Sequence, residues 1–203
     1  MAKAGPRKAA EGGEELRSRL VDATVRVLAR DGFAHASARA IAQAAGTVNG
    51  SIFYYFGSMD GLLAATASEL ADRGIARIRG GLGGDQASVE WPARLSAVLR
   101  EEADGEDGRA VMELFVGART SPALATEVRR AIDRAIDYAT AEMDAVLGGS
   151  PITQLVPVPL IAELAAAAFL GIEVLAQNGR EMDLDRLVAT IAAGVQLFTA
   201  GTR

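Results

Sequence analysis

The chain has 203 residues, half of them hydrophobic and 23% charged, which suits one or two compact units with a substantial core and excludes disorder over most of its length. It holds no cysteine and one histidine, His35, so disulfides, thiolate zinc sites, a cysteine nucleophile and a multi-histidine metal centre are excluded within one chain. The net charge of −5 hides a gradient, with eight Lys or Arg against six Asp or Glu in residues 1–60 and 13 against 20 in residues 61–203, and a mildly basic front on an acidic rear points to anionic partners at the front.

Residues 1–13 read as a flexible basic arm without the apolar core of a signal peptide. From Glu14 to Arg30 apolar residues recur at helical spacing (Leu16, Leu20, Ala23, Val27), and Asp31-Gly32 stops the helix. Ser37 is an N-cap for a short helix over 38–45, and Gly46 ends it. A third short helix covers about 49–56, and Ser58 caps a longer one to about Arg79. The glycine-rich GGLGGDQASVEWP is a loop and the natural boundary between a front and a rear module. Helices then follow at about 93–103, 109–119, 121–147, 160–177 and 183–200, with GGSPITQLVPVP read as a loop. No segment alternates with period two, so the fold is expected to be all-α with about nine helices.

Three short helices, the last two joined by a glycine turn, have the layout of a helix-turn-helix over about 37–56. Ile41, Ala42 and Ala45 let the second helix pack closely. Gly50 offers a bare surface at the start of the third, and Ile52, Phe53 and Phe56 supply apolar mass. The string ARAIAQAAGTVNGSIFYYFGSMDGLLAA resembles the DNA-binding signature of the TetR (tetracycline repressor) family through Ser37, Ile41-Ala42, Ala45-Gly46, Gly50 and Phe53-Tyr54-Tyr55-Phe56, with Gly32-Phe33 before it. It departs from that signature at Thr47-Val48, where Val-Ser is usual, at Phe53 for Tyr, and at Met59 for a phosphate-binding Lys.

The resemblance implies a DNA-binding domain over 14–60, a connecting helix over 61–79, and a ligand-binding and dimerisation domain over 80–203. It also implies a transcriptional regulator, expected to be a repressor released from a palindromic operator in double-stranded DNA by a small, mainly apolar effector. Ser37 is expected to cap its helix and meet a phosphate, and Arg39 to meet a phosphate or a guanine. Thr47, Asn49, Gly50 and Ser51 are expected at bases or phosphates, Tyr54 at the groove edge, and Tyr55 and Ser58 at phosphates. Lys3, Arg7 and Lys8 are expected along the backbone or in a minor groove. His35 reads as a surface loop residue.

In the rear, Leu160, Leu164, Ala168, Gly171 and Leu175 form one apolar stripe and Leu187, Ile191, Val195 and Phe198 another. The resemblance implies that they build a homodimeric four-helix bundle. Trp91, Met112, Phe115, Met143 and Phe169 are the bulky residues available for a ligand pocket, with Glu113, Arg119, Tyr138 and Glu173 for polar discrimination. No cofactor or metal is expected. The apolar stretch 156–176 is interrupted by Glu163 and Glu173, so no membrane association and a cytoplasmic location are expected. Two other readings are weighed. A helical enzyme lacks any nucleophile motif or phosphate-cradling loop, and a helical sensor or scaffold that has lost DNA binding is suggested by Met59 and the small basic excess.

Overall fold

A computed structural model describes residues 6–82, 91–147, 152–180 and 182–200. The described residues form ten α-helices and a single 3-10 turn: α1 (Pro6–Asp31), the turn (Phe33–His35), α2 (Ala38–Ala44), α3 (Asn49–Phe56), α4 (Met59–Leu82), α5 (Trp91–Asp104), α6 (Glu106–Ala118), α7 (Pro122–Leu147), α8 (Ile152–Leu155), α9 (Val158–Gln177) and α10 (Leu184–Ala200). Two sequence expectations are corrected. The arm expected over 1–13 is helical from Pro6 onwards, because proline's missing N–H has no partner in a first turn anyway and Lys8-Ala9-Ala10 favours helix. The loop expected after α7 contains the one-turn α8, which ends at Leu155 because Val156 precedes a proline and is biased out of the helical region.

The chain divides into two compact units, Met1–Leu70 with Glu106–Arg129, and Ala71–Gly105 with Arg130–Arg203. In the first, Leu20, Val21, Ala23 and Val27 of α1 meet Ile41, Ala42 and Ala45 of the second helix region, Ile52 of α3 and Leu62 of α4. Ile41 and Ile52 are fully buried, and each such side chain contributes about 1.5–3 kcal/mol relative to exposure. The buried hydroxyls of Thr24 and Thr66 donate to the carbonyls of Leu20 (2.8 Å) and Leu62 (2.9 Å), so neither is left unsatisfied.

The same unit includes α6 and the start of α7, which the chain order does not suggest. Helix α6 packs along α1 and against the 3-10 turn. A Cβ built on Gly117 would overlap the Phe33 ring, so this close approach needs glycine. Ser121 caps α7, accepting from the Leu124 N–H (3.2 Å), and donates its own proton to Asp60 (3.0 Å).

In the second unit α10 and α9 pack on α5. Leu184 and Val188 form the inner face of α10, and an ion pair joins Arg100 of α5 to Asp185. Helix α9 buries Val158, Ala162 and Glu173, residues four and eleven apart, on one face.

Candidate nucleic-acid interface

The turn between α2 and α3 follows from backbone hydrogen bonding. Ser37 caps α2, its hydroxyl accepting from the Ala40 N–H at 3.3 Å. At the other end Gly46 takes φ +65, and Thr47 N–H and Gly46 N–H donate back to Ala42 (2.9 Å) and Gln43 (3.1 Å), a Schellman closure that suits glycine. Arg19 of α1 donates to the carbonyl of Ala45 (2.7 Å), and Arg26 reaches that of Ala44 (3.4 Å). The end of α2 is thereby fixed to α1, which sets the angle at which α3 leaves.

On α3, Ile52 faces the core and Tyr55 and Phe56 are half-buried, which turns Asn49, Gly50, Phe53 and Tyr54 outward. Tyr54 is 82% exposed and stands edge-on to Tyr55 with ring centroids 4.9 Å apart. The Tyr55 ring packs on the module core and its hydroxyl lies near Gly13 of α1, so packing is its first role. Nothing lies within 4 Å of a Cβ built on Gly50, which leaves open room for an approaching surface. The Thr47 and Ser51 hydroxyls, both half-buried, bond each other at 2.9 Å. The N-cap of α3 is Val48, with no side-chain cap and 71% exposure. Ser58 accepts from the Gly61 N–H (2.9 Å) and caps α4.

Most of the arginines that make the front basic are engaged within the fold. Besides Arg19 and Arg26, Arg17 lies over the Phe56 ring (5.1 Å), and Arg30 forms a bidentate pair with Asp31 (2.8 and 2.7 Å) that holds the Asp31 carboxyl below its ordinary range. Arg39 is exposed and makes no hydrogen bond or ion pair with the described residues. Met59, in the place where a lysine is usual, packs against the module core. Lys3 lies outside the described residues; Arg7 and Lys8 fall in α1, but their side chains lie outside them too. His35 is exposed, its Nδ1 2.8 Å from the carbonyl of Asp31.

Of the expected pocket residues, Met112, Glu113, Phe115 and Arg119 belong to the first unit and Tyr138, Met143, Phe169 and Glu173 to the second, while the Trp91 side chain lies outside the described residues. Glu113, expected at the pocket, braces the 3-10 turn. Its Oε2 accepts the Phe33 N–H at 2.6 Å, 80 residues away in sequence, and Gly32 packs beneath it. Glu173 is fully buried. The second unit contains an open cleft of about 430 Å3 between α4 and α7, lined by Asp72, Ile75, Ala76, Arg79, Arg134, Asp137 and Tyr138. Its lining sets two carboxylates and two guanidinium groups beside Ile75, Ala76 and the Tyr138 ring, and Tyr138 alone belongs also to the expected set. Arg79 lies over the Tyr138 ring (5.2 Å), and the Arg134 Nε is 3.6 Å from Asp72. Burial, then the neighbouring Glu142 carboxylate, raises the Tyr138 phenol above its ordinary value.

The α9 stripe faces outward, and on α10 Ile191 does. Leu160, Leu164, Ala168, Gly171 and Leu175 are all exposed on α9, Leu164 by 60%, and on α10 Ile191 is 56% exposed with Leu187 half-buried. Val195 and Phe198 lie on α10 with side chains outside the described residues.

Sequence reasoning missed Phe53, Val48 and the acidic and basic lining of the cleft. Phe53 was within reach of it, being four residues past Asn49 and so on the same helical face.

A short helix seated on two others, a glycine turn, and a second short helix held outward define a helix-turn-helix protein. Residues 20–66, within the N-terminal module, match the family of bacterial regulatory proteins described as the tetR family. An HTH-type transcriptional regulator of Mycobacterium tuberculosis is 32% identical over 113 residues, 55% of this chain and 57% of that protein. The chain thus spans just over half the length of the curated relatives it matches. The fold is similar to that of a TetR-family transcriptional regulator from Rhodococcus sp., with TM-score 0.72 at 20% identity over 91% of this chain and 98% of that one. It is also similar to the multidrug binding protein EbrR complexed with proflavin, with TM-score 0.60 at 24% identity over 89% and 99%.

Proposed function

We propose that the chain is a sequence-specific DNA-binding transcriptional regulator that acts as a repressor, a homodimer on a palindromic operator released by a small ligand. The observation that carries this reading is the outward face of α3, with Asn49, Gly50, Phe53 and Tyr54 free of the core and Arg39 exposed and unengaged on α2, in the module that matches the tetR family. Ser37, Thr47, Ser51, Tyr55 and Ser58 supply hydroxyls around that face, and Ser37, Thr47, Ser51 and Ser58 retain hydrogen-bonding capacity beyond their intramolecular bonds. One such module reads too few base pairs for useful specificity, so two are needed, related by a twofold axis. The exposed stripe of α9, with Ile191 exposed on α10, supports the pairing. Helix α9 is long and apolar enough to cross a membrane, but it carries Glu163 on its exposed side and Glu173 in the interior, and a second protein copy suits such a face better than lipid.

The effector reading is supported by the α4–α7 cleft and by the ligand-bound state of EbrR. The charged lining favours a ligand that combines a ring, to take Arg79's place on Tyr138, with a charged group for Arg134 or Asp72. Such a ligand releases DNA only to the extent that it prefers the conformation unfit for the operator. A preference of about 1–3 kcal/mol gives 5–150-fold induction.

Selection of bound duplexes from a random pool tests the reading. An inverted-repeat consensus whose binding weakens steeply with salt is the expected result. If no duplex is retained at low salt, the reading fails and the sensor that has lost DNA binding replaces it.

A further inference from the structure

We infer that Val48 and Phe53 read the 5-methyl groups of pyrimidines in the major groove, so that operator methyls carry much of the base discrimination. The inference rests on the DNA-binding reading above and specifies the chemistry of its partner. Helix α3 has the sequence NGSIFYYF and holds no arginine, lysine or glutamine, so the guanine-reading side chains are absent from the helix itself. Its one amide, Asn49, is suited to the paired N6 and N7 of adenine. Two of the hydroxyls at its start, Thr47 and Ser51, are turned on each other.

What the outward surface presents instead is apolar. Phe53 is 52% exposed one helical turn beyond Asn49, and Val48 is 71% exposed at the N-cap, a position where hydroxyl and carboxamide side chains normally satisfy the first turn. Leaving both in water is unfavourable unless a partner covers them. Along the major-groove edges of the four bases, the thymine C5-methyl is the apolar group on offer, and 5-methylcytosine presents the same group. Asn49 on adenine and Phe53 or Val48 on the thymine methyl converge on A·T pairs under α3, with guanine left to Arg39 on α2.

The test uses the full chain and the duplex obtained by selection. Each thymine of a half-site is replaced in turn by deoxyuridine, which removes the methyl and keeps every hydrogen bond. In a parallel arm, cytosines are replaced by 5-methylcytosine. One or two deoxyuridine positions per half-site are expected to weaken binding roughly three- to tenfold, about the worth of a buried methyl or two. Phe53→Ala or Val48→Ala is expected to abolish that difference, binding thymine and deoxyuridine duplexes equally, with helicity and melting retained because both side chains are exposed. A gain on 5-methylcytosine with silent deoxyuridine positions assigns the methyl to methylated DNA. Salt-sensitive binding that stays within twofold across all these duplexes overturns the inference and leaves the DNA-binding reading standing. Failure to select any duplex overturns both.

Discussion

Arg39 sits exposed on α2 with no partner among the described residues, while Arg17, Arg19, Arg26 and Arg30 are spent on a ring, two carbonyl groups and a carboxylate. The basic front legible in the sequence is therefore mostly internal bracing, a distinction composition cannot make because it depends on which side chains the fold brings together. Arg39→Ala is expected to cost about 1–3 kcal/mol of operator affinity if the guanidinium meets a guanine, with relaxed preference at one base pair, or to flatten the salt slope by about one per site if it meets a phosphate. Titrations at several salt concentrations separate the two, and unchanged binding rejects both. The bracing by Glu113 was illegible for the converse reason: its partner, the Phe33 N–H, is a backbone group that no side-chain pattern announces. Replacing Glu113 by Ala leaves that half-buried N–H without its acceptor and is expected to lower stability by about 1–3 kcal/mol in urea melts, whereas Gln keeps an oxygen there and loses less. The Arg30–Asp31 pair acts in the acid limb. Asp31's carboxyl is held low in the folded state, so its contribution is present above the usual carboxylate range and fades as pH falls through the lowered value.

Among elements, helix–turn–helix boundaries were legible because each is set by local chemistry: the Ser37 cap, the Gly46 closure and the alternation of Ile41, Ala42 and Ile52 toward the core. The start of α1 and the one-turn α8 were not, since both rest on weak propensities near prolines. The packing of α6 on the N-terminal module was illegible for a stronger reason, the 80-residue separation of its key contact. Helix α3 lacks a side-chain cap because Val48 occupies the position. Val48→Ser is therefore expected to raise thermal stability, by about 0.5–2 kcal/mol at most, while weakening discrimination between thymine and deoxyuridine duplexes. A gain in stability with discrimination intact separates capping from reading and counts against Val48 as a reader. Gly117→Ala probes the α6 contact. The added methyl meets the Phe33 ring, and overpacking of this kind is expected to cost about 1–3 kcal/mol in melts.

At the scale of the whole molecule, a single chain leaves one face of α9 bare. In α9 the residues that would close a monomer core, Val158, Ala162 and Glu173, are already buried, and Leu160, Leu164, Ala168, Gly171 and Leu175 remain outside. A Cβ on Gly171 would meet nothing within 4 Å, so the small residue is not required by this chain's own packing, and it leaves room for a helix from elsewhere. Contiguous apolar surface of this kind marks an interface more often than an accident. Leu164→Arg places a charge in the middle of the stripe without touching the buried face. The variant is expected to keep its helicity and the folding of the N-terminal module, and to sediment as a monomer where the parent sediments as a dimer. Because each half-site is then bound separately, operator affinity is expected to drop by about 10²–10⁴, the avidity that joining two sites supplies, while affinity for an isolated half-site stays the same. A parent chain that is monomeric at micromolar concentration, or a Leu164→Arg chain that still dimerises, removes the twofold arrangement from the proposal.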